Sequence, residues 1–74
     1  MTKDAFVSEY RAALLANYAW AQDAEKLERF LATVRRTLDT GVAHWNKDGE
    51  AVVRAWRAIG GKGKPTYKAL YALS

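Results

Sequence analysis

Apolar residues recur along the chain at intervals of three and four, the spacing that lines one face of an α-helix. Strict alternation, Asn-Gly turns and β-branched runs are missing. The pattern predicts an all-α protein without a sheet. A first helix is expected to open at Thr2, whose hydroxyl can accept an orphan amide bond, with Asp4 in its first turn and Phe6, Tyr10, Ala13, Leu14 and Tyr18 as its buried stripe. Asn17 to Gln22 reads as its fraying end or a bend. The second helix is the clearest: Asp23 caps it, Gly41 stops it, and Ala24, Leu27, Phe30, Leu31, Val34 and Leu38 make a continuous stripe. Arg35 and Arg36 fall in its last turns, where cations suit the helix dipole.

Val42 to Lys47 reads as a connector carrying His44 and Trp45, after which Asp48 or Asn46 caps a third helix bearing Val52, Ala55, Trp56 and Ile59, with Gly60 as its stop. A turn of Gly61-Lys62-Gly63-Lys64 follows. Pro65 suits the first helical position, where its missing N–H costs nothing, so a short last helix is expected over Thr66 to Leu73, with Tyr67, Leu70 and Tyr71 on its apolar side. No internal repeat is visible. Residues 1–74 therefore read as a single compact four-helix domain around one core, ending in a helix-turn-helix-like hairpin.

Composition narrows the function classes. A length of 74 residues excludes a two-domain enzyme, and the absence of Cys removes disulfides, thiol nucleophiles and Cys-rich zinc sites together. Asp4 and Glu9 interrupt the opening where a signal peptide needs an apolar stretch. The longest apolar run, Ala12 to Ala16, is far below the roughly 18 residues of a membrane span, so the expected setting is cytoplasmic, without a membrane partner. His44 stands alone and makes no metal site. Ser8 and Ser74 lack a neighbouring base, and no acids pair for general acid/base work, so neither an enzyme nor a cofactor nor a small-molecule substrate is expected.

The net charge of +4 conceals an asymmetry. Residues 1–50 hold seven cations against eight acids, whereas residues 51–74 hold Arg54, Arg57, Lys62, Lys64 and Lys68 with no acid at all. Such a segment is either a solvated face that keeps the protein soluble or the footprint of a polyanionic partner. A helix ending in glycine, a basic turn and a short second helix resemble a helix-turn-helix unit, in which the second helix enters the major groove and the first crosses the phosphate backbone. The five cations then contact phosphates, and Thr66 and Lys68 face base edges.

Two features weaken base reading. The turn exceeds the usual three to four residues, and Ala69 and Ala72 stand where Arg, Asn or Gln would read bases, so affinity should be electrostatic and steeply salt-dependent. The string Gly60-Gly61-Lys62-Gly63-Lys64-Pro65-Thr66 also invites comparison with a phosphate-cradling loop. It fails as a Walker motif, because Ala58 and Pro65 stand where glycine and Ser or Thr are required and no strand precedes it, although the amides before Thr66 could hold one phosphate of a nucleic acid.

Trp56 lies on an apolar stripe and is assigned to the core. Trp20 and Trp45 sit in bends, where they either cover the ends of the bundle or stand exposed as partner anchors. Arg29, Arg35 and Arg36 are either solvated or paired with Glu25, Glu28 and Asp39 at helical spacings.

The segment Trp45-Asn46-Lys47-Asp48-Gly49-Glu50, continued by Ala55-Trp56-Arg57-Ala58-Ile59-Gly60-Gly61-Lys62-Gly63-Lys64-Pro65-Thr66, resembles small uncharacterised helical proteins of bacteriophages and prophages of proteobacteria. The resemblance covers roughly the last 30 residues and carries no catalytic signature. It implies a bacterial or viral cytoplasmic setting, and either an accessory DNA-binding regulator or an inhibitor docking onto a host protein, of which anti-CRISPR proteins and polymerase inhibitors are examples. The expected partner is nucleic acid, bound through the C-terminal hairpin. The alternative is an acidic host-protein surface covered by the same cations together with Trp20 or Trp45.

Overall fold

The computed structural model describes residues 1–42, 45–47 and 49–74. The chain forms α1 (Lys3–Asn17), a single 3₁₀ turn (Ala19–Gln22), α2 (Ala24–Thr40), α3 (Glu50–Ala58) and α4 (Tyr67–Tyr71), with no strand among the described residues. The protein is all-α, as the spacing predicts.

Local chemistry sets the first boundaries. Thr2 Oγ1 accepts the Ala5 amide at 3.0 Å, and an Asp23 carboxylate oxygen accepts the Lys26 amide at 3.2 Å, so each helix begins on a side chain that satisfies an orphan donor. Gly41 ends α2 in the left-handed conformation, φ 74°. At the corner after α1 the Asn17 side-chain amide donates to the Ala13 carbonyl and that of Gln22 to the Leu15 carbonyl, which favours the bend over the fraying end of the two expected readings. Tyr18 does not join the buried stripe, because the backbone is extended there and carries its ring into solvent.

α1 buries Phe6, Tyr10, Ala13 and Leu14; α2 buries Leu27, Leu31, Val34 and Leu38, with Phe30 half-buried and Ala24 exposed. The buried Thr37 hydroxyl donates to the Thr33 carbonyl, so this polar group costs little inside the core. α3 packs chiefly on α1 through Ala51, Val52, Ala55 and Trp56, while α4 rests on α2 through Leu70. Phe6, Val34, Leu38, Val52 and Leu70, one or more from every helix, are all but inaccessible. Each contributes about 1.5–3 kcal/mol by burial.

Two expectations need correcting. α3 is preceded by Gly49, which offers no side-chain cap, and Asn46 lies too far ahead to serve; Asp48, like His44, falls outside the described residues. Arg35 and Arg36 lie in the last two turns of α2, and Arg35 meets Asp39 at helical spacing and also bridges to Asp4 of α1. The last helix is five residues long because Thr66 is its cap, Oγ1 accepting the Ala69 amide at 3.1 Å, and Pro65 is buried one position before it. Pro65 at the first helical position would have left Lys64, which has no acceptor in its side chain, as the cap.

Beyond α4 the chain closes on its own start. The Lys3 amide donates to the Ser74 carbonyl at 2.9 Å, the Lys3 ammonium donates to the Leu73 carbonyl at 2.6 Å, and Leu73 is buried.

Candidate nucleic-acid interface

α3 turns its apolar residues toward α1, which leaves Arg54 and Arg57, three positions apart, as exposed neighbours on the outer face. Its end is a double back-bonded stop: the Gly60 amide donates to the Arg57 carbonyl at 3.0 Å and the Gly61 amide to the Trp56 carbonyl at 2.8 Å, with Gly60 at φ 98°. Only glycine adopts that φ without strain, and the paired bonds close the helix before the basic turn begins. Lys62, Lys64 and Lys68 are exposed beyond it.

Of the five predicted phosphate contacts, Arg54 alone reaches a carboxylate, that of Glu50 one helical turn back at 3.0 Å. Arg57, Lys62, Lys64 and Lys68 have no carboxylate partner among the described residues. The contrast with the first two helices is one of wiring. Arg11 makes a two-pronged contact with Glu28, at 2.6 and 3.0 Å; Arg29 meets Glu25 at 2.7 Å; Arg35 meets Asp4 and Asp39. Glu28 is thus taken by α1 and does not pair within its own helix. The Arg11 guanidinium holds the Glu28 carboxyl below its ordinary range, chiefly by hydrogen bonding, and is itself raised by that carboxylate.

Thr66 is exposed, but its oxygen is engaged by the Ala69 amide, so that amide is not offered to a phosphate. Five residues at 1.5 Å each give α4 a length of about 8 Å, and an eight-residue connector, 59–66, separates it from α3. A groove-reading helix presents three or four side chains to bases. α4 exposes Lys68, with Ala72 at its end.

Sequence reasoning missed Lys47. Its ammonium lies 5.2 Å from the centre of the Tyr67 ring, whose hydroxyl donates to the Trp45 carbonyl at 2.6 Å, so this cation belongs spatially with α4. Nothing local in sequence announces a contact across twenty residues. Trp45 is buried and covers the bundle, and its indole N–H finds no hydrogen-bond partner among the described residues. Burial pushes the Tyr10 hydroxyl up to about 12, with the Trp45 side chain partly offsetting the rise. Trp20 is 39% exposed and in ring contact with Tyr18, itself 38% exposed.

An open groove of about 410 Å³ between α1 and the end of α3 is lined by Met1, Thr2, Ala5, Ser8, Glu9 and Ile59 among others; it offers no Lys or Arg side chain to a polyanion. Among the described residues no group of His, Cys, Asp and Glu could hold a metal ion, and no helix is long and apolar enough to cross a membrane. No family model, characterised protein or solved structure matches the chain.

Proposed function

We propose that this protein binds nucleic acid, DNA in the first instance, as a small non-enzymatic regulator of the phage type that docks its C-terminal segment on the phosphate backbone. The observation that carries the reading is that Arg57, Lys62, Lys64 and Lys68 are exposed with no carboxylate partner among the described residues, in a segment without a single acid. Lysine and arginine side chains on phosphates release condensed counterions, and that release supplies sequence-independent affinity. The short α4 and its alanines favour contact with the backbone over reading of bases.

Binding of a labelled generic duplex at low salt tests the proposal. The expected outcome is saturable binding, weakened more than about tenfold when Lys62 and Lys64 are both reversed to Glu, since each removes one phosphate contact and adds a repulsion. An absence of binding at low salt removes the reading.

Exposure of Trp20 beside Tyr18 favours a second reading, in which the same cations cover an acidic protein surface and these rings anchor it. Trp20→Ala leaves duplex affinity unchanged under the first reading, whereas under the second the wild-type protein ignores duplex altogether.

A further inference from the structure

Three glycines in five residues, Gly60 to Lys64, would by composition make a flexible linker. The structure holds this turn from three directions. The two amides at its start are bonded back to α3, as described above. The Trp56 indole lies so close over Gly61 that a Cβ there would stand 2.1 Å from a ring carbon, and the indole Nε1 donates to the Lys62 carbonyl at 3.2 Å. Trp56 is itself buried on α3, so its ring is a fixed wall.

We infer that Trp56 is the positioning residue of the phosphate-contacting turn: it pins Gly61 and the Lys62 carbonyl inward and so makes Lys62 and Lys64 a preformed cationic ledge. The functional half of this inference rests on the nucleic-acid reading; the structural half does not. A ledge already ordered avoids the entropy of fixing lysine-bearing backbone at the moment of binding. Trp56 touches no phosphate. It acts through the two lysines.

The test uses the full chain, a labelled generic duplex and a double-mutant cycle. Trp56→Phe keeps a ring over Gly61 and removes the N–H donor; Gly61→Ala drives a methyl group into the indole. Each is expected to weaken duplex binding about threefold to tenfold, the scale of re-ordering one or two long side chains, with the helical circular-dichroism signal retained. In a Lys62→Ala, Lys64→Ala background the same substitutions should cost less than about twofold, because groups that act through each other are not additive. Equal losses in both backgrounds, or none in the first, overturn the inference.

Backbone ¹⁵N relaxation of the wild-type protein decides the structural half without any ligand and without any variant having to fold. Lys62, Gly63 and Lys64 should be as ordered as α3, and tail-like mobility overturns the ledge. A wild type that shows the ordered turn but binds no duplex defeats the nucleic-acid reading and leaves the ledge standing.

Discussion

α2 carries three acids and four cations, and two of those cations, Arg29 and Arg35, are tied to carboxylates; Arg11 and Arg35 also join α1 to α2. The segment from Ala51 to Ser74 carries five cations, of which, among the described residues, Arg54 alone reaches an acid, and that acid lies at the start of its own helix. Both regions bury an apolar stripe in the core. In the first region charge cross-links helices. In the second it makes no such cross-link among the described residues.

This division is testable, because stability and binding should respond to different residues. The largest effect is expected at Phe6, fully buried in the core. Phe6→Ala should cost about 3–5 kcal/mol in urea unfolding, a large part of the total stability of a small domain, and binding should fall with the fold.

A smaller effect comes from pH. The unfolded chain releases the Tyr10 proton near 10 and the folded protein holds it to about 12, so stability should fall as pH rises through that window. The loss is about 2 kcal/mol, and Tyr10→Phe should flatten this part of the pH–stability curve.

Arg35→Ala removes the contacts to Asp4 and Asp39, which are exposed pairs. It should lower the unfolding midpoint only slightly, and the loss should shrink in high salt. Reversing Lys62 and Lys64 sharpens the contrast most: thermal unfolding should move by less than about 0.5 kcal/mol while the duplex affinity collapses. If that double variant melted as early as Phe6→Ala, the two regions would not be separate in function.

The first three helices were legible because their signals are local. Thr2, Asp23, Gly41 and Gly60 act within one turn of themselves, and the stripes of α1 to α3 repeat at the helical period. The start of α4 was misread where two local rules compete, and the hydroxyl of Thr66 prevailed over the backbone preference of Pro65. What stayed hidden joins residues distant in sequence: Arg11 with Glu28, Arg35 with Asp4, Lys47 with Tyr67. The candidate site was legible as a list of cations. That Trp56 braces the turn follows only from packing, although Glu50 and Arg54 at helical spacing already announced their pair.

The most direct measurement is the dependence of duplex affinity on salt, for the wild type and for Lys62→Ala, Lys64→Ala. Arg57, Lys62, Lys64 and Lys68 on four phosphates give a log–log slope of about −3 to −4, and removing two lysines should make it shallower by about 2. A slope that the substitutions leave unchanged, or no binding even in dilute buffer, would contradict the assignment of this segment to a polyanion.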